Sequence, residues 1–502
     1  MIRQLTYLIL ISLIAFASNA WAQDTVLVKT LGTGEFEEGV DIIYLQDSGI
    51  MVLGNVAGDE ASAGDFLLAR YDENNESVWV HRYGSEEPER STTVFEASLG
   101  MYLVGGMSYA LPPIYQAFVC LVDSNGDRLD AMRIGDRTGF SEVRAFVTNS
   151  SGDVYAIYNQ WKAGNDAARS VYRAQIEWNN ENEIIVGNPI EMSGTEGFEL
   201  IQLKPSLNDG FMGVGSVYND TEDAHFIEWS DAFQEVNSVT FSTDGEDRYN
   251  TVADHADLII MAGYTNGYNA DDRDVIVHKY TKDGVLYGED VRGFFNGGPQ
   301  VNDEALDAFF VNERQFLMTG YTITYGEGAG VTADLFMSLV DTGLYDVPGS
   351  TTLGGEQVDV GRKILPWRSG LLAVGYTDSY GEGLTDILIV QRDSILGSIE
   401  VVEQGDSLVE DSVFFILDVT DPLPLEQPEI SWRAEANQMH VSTERENIQS
   451  VRIYDMLGRP LVERHDLQSN SVVIDTRAFT SQLAIIEVIG DGIHQSKILY
   501  LP

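Results

Sequence analysis

Short hydrophobic runs recur along most of this chain, separated by polar turns. The first four are GVDIIYL, GIMVLGNV, DFLLARYD and SVWVHRYG. Each suits a strand, and between the runs lie Asp47-Ser48-Gly49, Asn74-Asn75, Asn125-Gly126, Ser151-Gly152-Asp153 and Asp283-Gly284, the residues that tight hairpins demand. Alternation within the runs is loose, and most positions are apolar. That is the signature of strands buried on both faces by neighbouring sheets.

A longer period is laid over the runs. A Gly closing one run is followed at a fixed interval by an acidic residue opening the next, and by another closing it. Gly54, Asp65 and Asp72 set the pattern, and Gly375, Asp386 and Asp393 repeat it. Gly320, Asp334 and Asp341 follow it with a longer loop, and Gly263 and Asp274 follow it with Thr281 in the last place. The same frame falls around Gln116 and Asp123, Ser170 and Glu177, and Asp223 and Ser230. Seven units of roughly fifty residues, each of four short strands, predict an all-β fold: a seven-bladed β-propeller. Before the first unit, TVLVKTL looks like a strand without a unit. It is placed to pair into the last blade and close the ring, unless the last unit supplies its own fourth strand through SIEVVEQ.

The two ends depart from this pattern. Residues 1–22 read as a secretory signal peptide: Arg3, then YLILISLIAF, then a small-x-small cleavage site at Ala20 and Ala22. No later run is long and apolar enough for a membrane span. The propeller is assigned to 23–404 and a Pro-containing linker to 405–429. Residues 430–502 read as a small C-terminal β-sandwich built from QMHVSTE, SVRIYDMLGRPLVER, SVVIDTR, LAIIEVIG and HQSKILYL.

Charge narrows the partners. The chain has 79 acidic and 30 basic residues, a formal net charge of −49. A surface so acidic repels nucleic acid and anionic lipid and suits a saline medium. Cys120, the one cysteine, sits in the apolar run AFVCLV, so no intramolecular disulfide forms and a buried strand position is expected.

In the C-terminal segment, Val451, Ile453, Tyr454, Asp455, Gly458, Arg459, Asp475 and Lys497 occur in an order that resembles the type A C-terminal sorting domain of the Bacteroidetes type IX secretion system. The chain departs from that pattern after Phe479, where Gln482-Leu483-Ala484 stands in place of Gly-x-Tyr. The resemblance implies passage through the periplasm and outer membrane by the type IX machinery, removal of the sorting domain, and release or attachment at the cell surface. Tyr454, Asp455, Gly458, Arg459 and Lys497 would carry the recognition. The other reading of this segment is a plain β-sandwich, such as a carbohydrate-binding module.

Candidate chemistry lies in the loops. In a four-stranded blade, the loop joining strands two and three shares a face with the connection to the next blade. Tyr325, Glu327, Tyr380 and Glu382 fall in two such loops and would set aromatic rings beside carboxylates, a means of gripping a glycan or protein ligand outside the cell. The recurring Asp65, Asp274, Asp334 and Asp386 read instead as structural. Asp123, Asn125 and Asp127 resemble the start of a calcium loop, which makes Ca2+ the candidate cofactor, but the twelfth position is Ile134 rather than Glu. The same residues suit a plain hairpin turn. His-x-x-x-His, Gly-x-Ser-x-Gly and phosphate-loop motifs are absent from the sequence. The expectation is a non-enzymatic binding or scaffold propeller; the alternative is a secreted hydrolase or lyase acting on polysaccharide.

Overall fold

A computed structural model of the chain describes residues 24–407 apart from short stretches at 33–34, 58–63, 86, 112–113, 136–138, 163–167, 220, 268–272, 293–301, 325, 327–330, 348–349, 369, 382–383 and 393–398. It also describes the strand 411–414 and the strands of residues 430–501. Ala20 and Ala22, read above as a cleavage site, and the prolines of the segment read as a linker lie outside the described residues.

Seven antiparallel sheets follow one another along residues 36–392, each in strand order one to four from the inside out. The first strands of successive blades are neighbours all the way round, the last beside the first, so the ring is closed and the fold is a seven-bladed β-propeller. The core is the set of layers between blades. One such layer joins Leu317, Leu335 and Leu339 of blade six to Ile364, Leu371 and Leu388 of blade seven. Cys120 is fully buried in the layer between blades one and two, and burial pushes its thiol up to about 12.

Closure uses both ends of the propeller segment. The N-terminal strand Asp24–Gly32 pairs antiparallel with Asp386–Arg392 and takes the fourth place of blade seven. The strand Ile399–Ser407, which contains the IEVVEQ part of that run, lies parallel outside it as a fifth strand. The two sequence candidates for this blade therefore both contribute. Farther on, Asp411–Phe414 pairs parallel with Ser77–Gly84, the outer strand of blade one. The chain read as linker thus begins by crossing from the outside of the last blade to the outside of the first.

Each repeat position has a mechanical task. In every blade, strand one carries a bulge, for example between Ala305 and Asp307 and between Gly361 and Lys363. The strand-two residue opposite the bulge is Gly54, Gly106, Gly215, Gly263, Gly320 or Gly375 in six blades, and Tyr158 in the third. A bulge pushes the strand-one carbonyl toward its partner. A Cβ at Gly375 would collide with the Val360 carbonyl oxygen, and one at Gly320 with that of Glu304. The acidic residue opening strand three packs under the glycine at the end of strand four or just past it: Asp65 beneath Gly84, Asp334 beneath Gly354, Asp386 beneath Gly32.

The residue closing strand three caps the next hairpin. Asp72 accepts from the amides of Asn74 and Glu76 at 2.8 and 2.9 Å, and Asp341 from those of Gly343 and Tyr345 at 2.8 and 2.9 Å. Asn75, Gly126, Gly152 and Gly284 take positive φ in the expected turns, and in the first turn Ser48 does so rather than Gly49.

The third unit departs from the frame. Its cap is Asn179, two residues beyond Glu177, accepting from Glu181 and Glu183. Its outer edge is divided between Ile184–Val186 and Ile190–Glu191, both paired to the same strand. Beyond the propeller, the described strands of 430–501 form one three-stranded and one four-stranded antiparallel sheet, consistent with a small β-sandwich.

Candidate functional site

The first strands line the axis, so the bulges aim side chains into the channel. Within it, charges from separate blades meet. Asp307 of blade six accepts from Lys204 of blade four at 2.8 Å, reaching past blade five, and from Gln202 at 2.9 Å and Thr251 at 3.1 Å. Its other oxygen takes the Ile364 amide at 3.0 Å. Lys363 of blade seven stands 3.6 Å from Asp41 of blade one, whose carboxylate also takes the Val94 amide of blade two at 3.0 Å. Burial opposes the charge on Asp307, yet Lys204 and Lys363 outweigh it and hold the carboxylate down to about 2. Two of the chain's seven lysines are thus spent on a plug that ties opposite sides of the ring together.

Above the plug, toward the blade-to-blade connections, the channel mouth is lined by alternating charge. Arg90 faces Glu38 at 3.7 Å, Arg144 faces Glu142 at 3.2 Å, and Arg248 faces Glu222 at 3.4 Å and Glu199 at 3.7 Å. Arg169 shares the last two glutamates. In so acidic a protein this cluster makes the mouth a locally balanced patch.

Between blades six and seven the mouth opens into a pocket of about 270 Å³, lined by Glu304, Leu306, Tyr321, Ala333, Val358, Val360, Arg362 and Tyr376. The repeat explains its walls. Tyr321 and Tyr376 each follow the strand-two glycine, and Leu306 and Arg362 are the extra residues of the two bulges. Glu304 is held on three sides: Asn250 donates to it at 2.8 Å, the Tyr321 hydroxyl at 2.9 Å, and Arg273 stands 3.6 Å away. Burial and then the Glu304 carboxylate raise the Tyr321 hydroxyl, so it stays protonated and donates. The Arg362 guanidinium lies over the Tyr376 ring, 5.5 Å from its centre, and Arg273 lies over Tyr264 at 4.1 Å.

The carboxylates that begin strand one in several blades are already occupied. Glu89 accepts from Ser85 at 2.6 Å and Ser108 at 2.8 Å, Asp303 from Thr324 at 2.8 Å, and Asp359 from Ser379 at 2.7 Å. Burial raises all three above the usual carboxylate range, and the hydroxyl and amide bonds work against it. Asp303 and Asp359 lock the loop after strand two onto the start of their own blade, whereas Glu89 ties the connection from the preceding blade to strand two.

Of the residues singled out from sequence, Tyr380 lies in the strand-two to strand-three loop of blade seven. Its hydroxyl donates to the Gly354 carbonyl at 3.0 Å and its ring packs on the layer between blades six and seven, so it joins the loop to the blade junction. Tyr325, Glu327 and Glu382 lie outside the described residues. Asp123 accepts from the amides of Asn125 and Asp127 at 2.8 and 2.9 Å, which closes the hairpin. Among the described residues, no group of three His, Cys, Asp or Glu side chains is gathered as a metal site.

Tyr454 and Asp455 end the strand Ile448–Asp455, and Lys497 lies on Ile493–Leu501. All three share one sheet, with Lys497 in register with Ile486. Gly458 and Arg459 lie outside the described residues. Sequence reading missed Glu304, Tyr321, Arg362 and Tyr376. The available signal was the triplet Gly-Tyr-Thr at 263–265, 320–322 and 375–377, which opens the loops that drew attention instead.

Residues 422–500 match the model of a domain of unknown function (DUF8694). No curated protein matches the chain. Among solved structures, the β-propeller domain of the Trilobed protease from Pyrococcus furiosus is similar at 10% identity over 73% of this chain and 98% of that one, with a TM-score of 0.37. A protein of unknown function from Dyadobacter fermentans is similar at 9% identity over 74% of this chain and 97% of that one, TM-score 0.41. The acylaminoacyl peptidase of Pyrococcus horikoshii is similar at 10% identity over 82% and 59%, TM-score 0.38. The architecture itself rests on this chain's own strand pairing.

Proposed function

We propose that this chain is an exported, non-enzymatic binding propeller, carried by the type IX secretion machinery to the cell surface or medium, and that it takes its ligand at the mouth pocket between blades six and seven. One observation carries the binding role. Two tyrosines, a neutralised glutamate and an arginine converge on a pocket beside the axis, where seven bulges aim side chains inward. The buried carboxylates Asp303 and Asp359 of the same two blades are engaged by hydroxyls and amides in structural bonds, which favours binding over acid–base chemistry. Export is supported by the signal-peptide pattern at one end and the Tyr454 to Lys497 pattern at the other.

Localisation of tagged protein in a type IX-competent host tests the delivery. Full-length chain is expected at the surface or in the medium, and a chain lacking 430–502 in the periplasm. Equal export of both would make the C-terminal segment a binding module rather than an address.

A further inference from the structure

The ligand class follows from the charge balance of the pocket, and this step rests on the mouth pocket being the binding site. Five arginines at the mouth have a carboxylate within 4.0 Å: Arg90, Arg144, Arg169, Arg248 and Arg273. Arg362 has none among the described residues. It is held by the face of Tyr376, which orients the guanidinium without neutralising it. No acid among the described residues pairs with Arg362, although the chain carries 79.

The one carboxylate in the pocket does not offset it. Glu304 already carries the Arg273 charge and bonds from Asn250 and Tyr321. Among the described residues the pocket therefore presents one guanidinium without a carboxylate partner, the two tyrosines, and an apolar side made by Leu306, Val358 and Val360. Its volume of about 270 Å³ lies just under the range that holds drug-sized ligands, which leaves room for one sugar-sized ring.

We propose that the pocket binds a single carboxylated sugar, a hexuronate, with its carboxylate on Arg362 and its ring against Tyr321 and Tyr376. A guanidinium pairs with a carboxylate through two parallel hydrogen bonds, and a pyranose offers C–H faces to aromatic rings. The surrounding surface decides against a long polyanion, which the net charge would repel over about 8 Å at physiological salt. The uronate is thus free, or it terminates an otherwise neutral glycan.

Titration calorimetry on the full chain tests this. The probes are D-glucuronate, D-galacturonate, the glucuronate methyl ester, glucose, polygalacturonate and a neutral oligosaccharide ending in glucuronate. At least one uronate is expected to bind tenfold or more tighter than glucose and the methyl ester. Arg362→Ala should remove that preference, with Arg362→Lys in between and thermal unfolding checking that each variant folds. Tighter binding of the capped oligosaccharide than of free uronate identifies a glycan end as the source; equal binding identifies the free sugar. Equal binding of glucose and uronate, unchanged binding in Arg362→Ala, or tightest binding by polygalacturonate overturns the proposal. A glycan array on parent, Tyr321→Ala, Tyr376→Ala and Arg362→Ala separates the two levels. Hits that depend on the tyrosines but carry no carboxylate leave the site standing and the ligand class wrong. Hits indifferent to both tyrosines and Arg362 remove the site itself.

Discussion

Opposite its bulge, Gly375 has no room for a side chain, and that makes it a sharp test of the repeat. The space a Cβ would take is filled by the carbonyl of Val360, a backbone atom tied into a ladder that cannot swing aside. Gly375→Ala must shift a strand that also carries Arg362 and Lys363, and the expected cost is about 3 kcal/mol or more. Gly152 is the control. It sits in a hairpin with φ of 86°, and nothing lies within 4 Å of where its Cβ would stand, so Gly152→Ala should cost only the left-handed strain of about 1–2 kcal/mol. Urea unfolding of both variants checks the order. A milder effect at Gly375 than at Gly152 would show that strand one does not press on strand two as described. The same residues mark the limit of the sequence. The glycine was visible because it recurs, but Arg362 was not. A bulge shifts the alternation of a strand by one residue, but alternation in these runs is already loose, so the added side chain leaves no legible trace.

At the scale of elements, the closure is where local pairing becomes global stability. The N-terminal strand buries Val26 and Val28 completely between the last two blades. Lys29 reaches across to the Asn75 carbonyl at 2.6 Å, and Asn75 donates to Gln391 at 2.7 Å, tying the first blade to the last. Outside this seam runs the strap formed by Ile399–Ser407 and Asp411–Phe414. A chain ending at residue 414 should keep the stability of the propeller, whereas one ending at 398 should unfold at lower urea. Val28→Asp should cost more than either truncation, since it leaves a buried charge unpaired. If the chains ending at 398 and 414 unfold at the same urea concentration, the strap is a passenger. The orphan strand was legible because its pattern copies a fourth strand. The strap was not, since Asp411–Phe414 pairs only with a blade more than three hundred residues away, and no local signal announces so distant a partner. The two-residue displacement of the third unit's cap to Asn179 was not legible, because Glu177 stands at the interval that the other units use.

For the whole molecule, the balance of charge sets two opposite responses to salt. With 79 acidic against 30 basic residues, the compact state concentrates repulsion that the unfolded chain relieves. The Debye length falls from about 30 Å at 0.01 M to about 3 Å at 1 M, so added NaCl removes most of this repulsion between separated carboxylates. The axial plug responds less, because Lys204 and Asp307 are in direct contact within the channel. Screening should therefore raise Tm, by about 2–4 °C or less for each kcal/mol of repulsion relieved in a chain this long. Hexuronate binding at Arg362 should move the other way and weaken, since it depends on one charge attracting another at the channel mouth. Thermal unfolding and calorimetry across the same salt series measure both. A Tm that is flat or falls with salt would mean that paired charges outweigh the acidic excess. Uronate binding that strengthens with salt would mean that repulsion by the surrounding acids, rather than attraction by Arg362, governs access to the pocket.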